Sequence, residues 1–394
     1  MYLENQYDLI IVGGGCAGLS LAVRLSQLGK QCPKTLIIEQ RAEYSNDRTW
    51  CFWYTKDTRF ADLATYTWSH CVVKTEGESI EVNCQNTPYC MLPAITFYKY
   101  ALDEISKNSR IEILLNTTMT QSPTKFQSNW QISVLDNTYC TNLVVDTRPV
   151  KQPKSSDAIL WQSFYGAEIV CEEDVFDAKK VVLMDFVKDM NSSVCFRYIL
   201  PTTSKKALVE FTVFASEPIA CKSLEKELDN AIAKYTINKP YVVLRNEYGV
   251  LPMGYLQNKS GKDKSYSYVG LFSGAARPSS GYAFQRIQCW AEVCARSISE
   301  RNILKTHSAD SIVQHKMDRL FLQVIRYHFL EAPFIFRQLF EFCRTDRVIR
   351  FLSDQATLID FYMIVMSLPA RPFLRQMLNN LKKVFIHYVS KKTY

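Results

Sequence analysis

The sequence predicts an α/β protein: a Rossmann-like dinucleotide-binding domain, an antiparallel β-sheet domain and a helical C-terminal region. Three observations carry this prediction. Tyr7 to Val12 is a short apolar run that meets a glycine turn and then an apolar-periodic segment. After Leu160, strand-patterned runs follow one another without helices between them. Ser308 to Tyr388 reads as predominantly helical.

The opening stretch reads strand, turn, helix. In Gly13-Gly14-Gly15-Cys16-Ala17-Gly18, Gly13 permits the tight turn, Gly15 lets a pyrophosphate approach the backbone, and Gly18 lets the helix pack close to the strand. Leu19 to Leu28 supplies the helix, whose N-terminus offers N–H groups and partial positive charge to phosphates. Lys34 to Glu39 is a second strand, and Glu39 at its end sits where a carboxylate accepts hydrogen bonds from a ribose diol. An adenine dinucleotide site is therefore expected, and an acid at that position suits FAD and NAD equally.

The polar loop from Arg41 to Phe60 runs into an aromatic cluster, Trp50, Phe52, Trp53 and Tyr54. Arg48 is placed to reach phosphates or a flavin edge, and the rings either line a pocket or pack as core. Ser69 to Val82 alternates as strands, Leu92 to Ile105 reads as a helix closing a βαβ unit, and Ile111 to Asn116 and Trp130 to Leu135 are short strands. Leu143 to Pro149 is an apolar strand whose terminal turn holds Asp146, where a doubly wound sheet presents ligand-contacting backbone.

Gly166 to Val170, Val181 to Phe186, Val194 to Leu200 and Ala207 to Phe214 form the expected antiparallel sheet, with a turn at Pro201 to Ser204. Leu224 to Tyr235 is an amphipathic helix, and Val242 to Leu251 follows. A second glycine-rich stretch, Tyr268 to Tyr282, contains Gly274, Pro278 and Gly281 and leads into a helix from Tyr282 to Ser297; its N–H groups are placed to meet the second half of a dinucleotide. The domain reading is 1–150 with 240–300 for the nucleotide, 151–239 for a substrate sheet, and 301–394 for a membrane-contacting helical region.

The 13 cysteines are odd in number, irregularly spaced and without a CxxC pair, which argues against a disulfide framework or a zinc site. Reduced thiols in a cytoplasmic setting are expected. The five histidines lack metal-ligand spacing, so no metal is expected. Met1 to Gln6 has neither the basic start nor the apolar middle of a signal peptide.

From Arg301 onward there are 15 lysines and arginines against 7 aspartates and glutamates, a surplus equal to the chain's whole net charge of +8. Basic charge beside apolar helix faces suits an anionic membrane surface; the alternative is an ordinary solvated face. No recognition motif supports nucleic acid. Ala356 to Leu368 is too short to span and contains Asp360, so the chain is expected to lie on the inner face of the cell membrane without crossing it.

Several motifs in one order now carry a resemblance. They are Val12 to Ala22, Arg48-Thr49-Trp50 with Phe52, Asp146-Thr147-Arg148, and Trp161 to Glu168. Then come Leu183-Met184-Asp185-Phe186, Leu208 to Thr212, Glu247 to Met253, Ala276 to Tyr282 and Phe351-Leu352-Ser353. From about Tyr7 to about Leu378 the chain resembles the flavin-dependent lycopene β-cyclases of bacteria, relatives of the flavoprotein hydroxylases and prenyl reductases.

The resemblance implies FAD, active when reduced, with NAD(P)H as electron source. It implies lycopene as substrate, closed to β-ionone rings through γ-carotene to β-carotene without net oxidation. It places Gly13, Gly15, Gly18, Glu39, Arg48, Asp146, Gly274, Pro278 and Gly281 on the cofactor, and it makes Glu210 the proton donor, with Glu247 as a second carboxyl. Trp50, Phe52, Trp53, Tyr165, Phe211 and Thr212 are then the pocket candidates.

One departure stands out: the family's usual Glu-Asp-Thr is Glu210-Phe211-Thr212 here. Strand alternation sets Phe211 on the face opposite Glu210 and Thr212. Cys51-Phe52-Trp53 likewise replaces the common Ser-Phe-His. The rival readings are an FAD-dependent prenyl reductase or monooxygenase acting on an apolar isoprenoid, and a flavin-binding membrane-surface protein without chemistry.

Overall fold

The computed structural model describes residues 5–134, 137–149, 158–188, 192–254 and 263–392, with side chains as far as 382. The reading of residues 1–4, the predicted strand end at Leu135 and the side chains of the last predicted helical residues lie outside these.

Strand β1 (Gln6–Val12), helix α1 (Cys16–Ser26) and strand β2 (Thr35–Ile38) follow the predicted order. Every residue of β2 and the end of β1 is buried, because both faces of this parallel sheet are covered; that is why they read as unbroken apolar runs. Gly13 adopts φ +98°, and a Cβ on Gly18 would fall 2.0 Å from the Gly13 carbonyl oxygen, so the turn tolerates no side chain at either position.

The chain then forms β3 (Thr49–Trp53), β4 (Tyr66–Trp68), the hairpin β5 (His70–Thr75) and β6 (Glu78–Asn83), and β7 (Tyr89–Pro93). Strands β3, β7 and β4 make a small sheet of their own. Helix α2 (Ala94–Ser106) leads back to β8 (Ile111–Leu114), parallel to β2. With β9 (Thr124–Phe126), β10 (Asn129–Val134) and β11 (Asn137–Asp146), the first sheet runs β8-β2-β1-β11-β10-β9.

The second sheet is built from β12 (Leu160–Cys171), β13 (Lys180–Val187), β14 (Val194–Pro201) and β15 (Lys206–Ala215). Helix α3 (Glu225–Thr236) and strand β16 (Tyr241–Met253) follow. Its order is β16-β12-β15-β14-β13-β5-β6, antiparallel except where β13 meets β5. Segments 70–83 and 241–253, assigned from the sequence to the nucleotide domain, pair into this second sheet, because their pairing is decided by distant register, not by neighbours in the chain.

In β15 every residue after Lys206 is buried, since both faces are covered. Val209, Phe211 and Val213 face α3 and the turn before it, packing with Leu224, Leu228 and Ile232. Tyr165 packs on the same side. The pocket roles expected for Phe211 and Tyr165 are therefore corrected: odd-numbered positions of these strands point away from the opposite face, which carries Glu210 and Thr212.

After β17 (Tyr266–Tyr268), parallel to β11, helix α4 (Phe284–Arg301) shares a core with α1 through Ile287, Ala291 and Cys294. Phe52 lies in that core, stacked on Phe284 with ring centroids 5.4 Å apart, so it too is packing and not pocket wall. Helices α5 (Ile312–Tyr327), α6 (Ala332–Phe342), α7 (Thr345–Leu352), α8 (Leu358–Ser367) and α9 (Ala370–Lys392) complete the chain. Leu322, Ile325, Ile335 and Ile349 of this region pack with Leu183, Phe196, Leu208 and Phe214 on the face of the second sheet away from α3. Among the described residues no helix is long and apolar enough to cross a membrane.

Phe211 makes the packing testable. Phe211→Ala should lower unfolding free energy by about 3–5 kcal/mol, read from urea denaturation. A cost below about 1 kcal/mol would contradict its place beneath α3.

Candidate active site

One cavity of about 1930 Å³ runs from the glycine turn, between the two sheets, to α8 and α9. At the first end it is lined by Gly13, Gly15, Glu39, Arg41, Arg48 and Asp146. Helix α1 starts from Gly15 with no side-chain cap and no acid in its first turn, so no side chain there competes with an anion for its N–H dipoles. Glu39 accepts from the Gly14 N–H at 2.6 Å and pairs with Arg41 at 2.9 Å, which holds its carboxyl below the ordinary value despite burial. Asp146 is clamped by Arg148 at 2.7 Å and by the Tyr266 hydroxyl at 2.9 Å. Arg48 is half-exposed and pairs with Asp47 at 3.3 Å. The open helix N-terminus and side-chain-free turn fit an adenine dinucleotide.

In the middle of the cavity, four residues stand in one row across four strands. Tyr198 on β14 is in register with Glu210 on β15, Glu210 with Gly166 on β12, and Gly166 with Glu247 on β16. Gly166 lies between the two carboxyls and carries no side chain; a Cβ there would come 2.5 Å from Glu210 Cγ. Glu210 and Glu247, only 7% and 4% exposed, therefore meet across it and hydrogen-bond to one another. Burial, then the charge of Glu247 and that shared hydrogen bond, push the Glu210 carboxyl well above the ordinary glutamate value. The protonated, uncharged form of Glu210 is thereby favoured.

Glu247 is held from its other side. Thr49 donates to Glu247 Oε2 at 2.9 Å, and the Arg245 guanidinium donates to the same oxygen. Beside the row, the hydroxyls of Tyr89 and Tyr198 lie 2.9 Å apart, with Tyr282 donating to Tyr89 at 3.3 Å. Burial raises all three phenols, so they stay neutral. Gln162 Oε1 is buried on the cavity wall with no hydrogen-bond partner among the described residues, 3.0 Å from where a Cβ on Gly281 would be.

Beyond the row the wall becomes apolar: Phe196, Phe214, Phe321, Phe336, Phe340 and Phe373. The cavity reaches the surface between α8 and α9, where Val365, Met366, Leu374 and Met377 line it and are each 48–63% exposed.

Of the residues singled out in the sequence, this cavity gathers Gly13, Gly15, Glu39, Arg48, Asp146, Gly281, Trp50, Trp53, Thr212, Glu210 and Glu247. Gly18 stands behind the turn against Gly13. Gly274 and Pro278 do not line the cavity. Gly274 has φ +90° on an exposed bend, and Pro278 is buried in a loop that Arg277 ties to Asp318 and Asp354 at 3.4 and 3.2 Å. That loop serves to anchor the C-terminal helices, while its flanks, Ser279 to Gly281, reach the cavity. Sequence reasoning missed Thr49, Gly166, Tyr198 and Arg245. The spacing of Arg245 and Glu247, two apart on one strand, was the signal that could have found the last of these.

The fold is shared with several solved structures of low sequence identity. A geranylgeranyl bacteriochlorophyll reductase-like protein from Thermoplasma acidophilum superposes with TM-score 0.60 at 13% identity, covering 92% of this chain and 96% of its own. The p-nitrophenol 4-monooxygenase of Pseudomonas putida DLL-E4 gives 0.58 at 13%, covering 96% and 98%. The flavin-dependent brominase Bmp2 gives 0.61 at 12%, covering 96% and 100%. Comparison with curated protein sequences returned no match. Residues 8–378 match the family model described as lycopene cyclase protein, so the chain belongs to the lycopene cyclase family.

Proposed function

We propose that this protein is a lycopene β-cyclase that closes the linear ends of lycopene to β-ionone rings, through γ-carotene to β-carotene, with no net redox change. The observation that carries this reading is a buried carboxyl, Glu210, whose ionisation is disfavoured, in the wall of a cavity that joins a dinucleotide cradle to an aromatic chamber. Ring closure needs a proton given to an alkene, a tertiary cation kept from water, and a proton removed from a neighbouring carbon. Glu210 gives the proton, since a neutral carboxyl is a competent general acid near pH 7. Trp50 and the phenylalanines beyond the row offer π-faces to the cation and exclude water that would trap it as an alcohol. Glu247, beside Glu210, is placed to take the departing proton.

FAD is the cofactor of this reading, held by the Gly13–Gly18 turn, Glu39, Arg48 and Asp146. When bound and reduced it supplies negative charge beside the developing cation, and NAD(P)H is its proposed electron source.

The substrate is a long hydrocarbon stored in lipid, and the cavity mouth suits delivery from it. Exposed Val365, Met366, Leu374 and Met377 ring the opening, and exposed Arg371, Arg375 and Lys382 flank it on α9. This combination favours an anionic bilayer surface and a peripheral position on the inner face of the cell membrane.

Three tests follow from this site. Anaerobic turnover of lycopene in liposomes with reduced FAD in deuterium oxide should give rings that carry deuterium, in a product with the substrate's full hydrogen-plus-deuterium count. Glu210→Gln should slow it by about a hundredfold or more. A product that gains hydrogens would favour the reductase reading, and one that gains oxygen when air is admitted would favour the monooxygenase reading.

The second test reads the carboxyl itself. Its folded-state value is raised, so its contribution to stability is fully present below the unfolded value near 4.5 and is lost as pH rises toward the folded value. Glu210→Gln should escape that loss. Its unfolding free energy relative to wild type should rise by up to about 1.4 kcal/mol per pH unit above about pH 4.5, in urea titrations across pH. A pH-independent difference would mean Glu210 is ionised in the fold.

The third concerns the mouth. Met366→Glu with Leu374→Glu should reduce co-flotation with anionic vesicles severalfold while changing urea stability by less than about 1 kcal/mol. Undiminished flotation would move the membrane contact elsewhere.

A further inference from the structure

A hydrogen-bonded carboxyl pair with one proton between them has two possible owners of that proton. We propose that Arg245 is a positioning residue that assigns it: by holding Glu247 as the carboxylate, Arg245 keeps the pair's single proton on Glu210. The inference deepens the cyclase reading and rests on it for its consequence in turnover.

Arg245 and Glu247 are two apart on β16 and so share a face. The guanidinium is spent in three directions. One nitrogen donates to Glu247 Oε2, another to Thr49 Oγ1 at 2.7 Å, and Nε donates to Glu168 Oε2. Thr49 in turn donates to Glu247 Oε2, so that oxygen receives two hydrogen bonds. Glu168 is held on its other oxygen by Lys206 at 2.6 Å. Arg245, Glu168 and Glu247 have side chains only 13%, 11% and 2% exposed, so water contributes little.

The charges of this wall then balance without Glu210. Lys206 and Arg245 are two cations, and Glu168 and Glu247 are two carboxylates, alternating along the chain of contacts. The other groups facing the pair are Tyr198, Tyr89, Tyr282 and the Cys51 thiol, all kept neutral by burial. Arg197 is paired with Asp185 at 3.1 Å and points to the other face of the sheet. A fifth charge on Glu210 would have no cation of its own, and an unpaired buried charge is costly. The proton stays where the counter-charge is missing.

Removing Arg245 upsets this count. Three carboxyls would share Lys206 alone, and the pair would bind a second proton, on Glu247. The group placed to take the ring proton would then already be protonated.

The experiment uses the flavin-loaded enzyme and two readouts. Infrared spectra near neutral pH should show a protonated-carboxyl band that Glu210→Gln removes. In Arg245→Met a second such band should appear, absent from the Arg245→Met, Glu247→Gln double variant; Arg245→Lys should restore the single band. In lycopene turnover, the low-pH limb of the rate profile should move up by about one pH unit in Arg245→Met and return in Arg245→Lys. If Arg245→Met does not fold, Thr49→Val removes the other donor to the same oxygen and should shift both readouts in the same direction by less.

An unmoved band pattern in Arg245→Met, or a rate that falls equally at every pH, overturns the proposal. Shifted bands in an enzyme that leaves lycopene untouched uphold the role of Arg245 and overturn the cyclase reading, so the two failures are told apart.

Discussion

Two carboxyls can lie in hydrogen-bond contact inside a dry wall only if they share a proton, and only if nothing stands between them. Gly166 meets the second condition. Strand register sets Glu210 on one side of it and Glu247 on the other, and the missing side chain is the space in which they meet. A one-residue slip of β12 against either neighbour would place Tyr165 or Ala167 there instead, and would turn one carboxyl toward α3. The site therefore depends on the register of three adjacent strands more than on any single side chain.

The remaining layers can be understood as what holds that register. Helix α3 covers the reverse of the sheet, so the strands are apolar on both faces and their alternation is hidden in the sequence. The small sheet brings β3 against the row from the front, which is how Thr49 reaches Glu247 and how Cys51 comes beside Tyr198. Arg277, buried with Asp318, fixes the C-terminal helices against the loop that opens α4, and with them the apolar half of the cavity. A buried ion pair of this kind adds little net stability, but breaking it by removing one partner is costly, so it works as a positional lock.

What was legible in the sequence was local. The turn from Gly13 to Gly18 and the strand that ends at Glu39 could be read because each residue's role is set by neighbours a few positions away. Glu210 came from the resemblance of motifs, since LVEFTVF by itself does not say which face meets a cavity. Alternation did separate Phe211 from Glu210, and the structure packs Phe211 with Leu224 at the entry to α3. Tyr165 and Phe52 went unread because an aromatic beside a motif looks the same whether it packs or lines. Arg245, Gly166 and Tyr198 lay out of reach for a different reason: their importance is their cross-strand partners, and no single-sequence pattern pairs β12 with strands 35 and 70 residues downstream.

The second sheet takes its strands from three separate stretches of chain: β5 and β6 come before β8, β12 to β15 after β11, and β16 after α3. A fragment cut near residue 150 would leave either half with unpaired edges. On the ribosome, β12 must wait with one edge bare until residue 253 has emerged, so a nascent chain passes through a stage with an open apolar sheet. Only when β16 pairs along β12 is that edge covered.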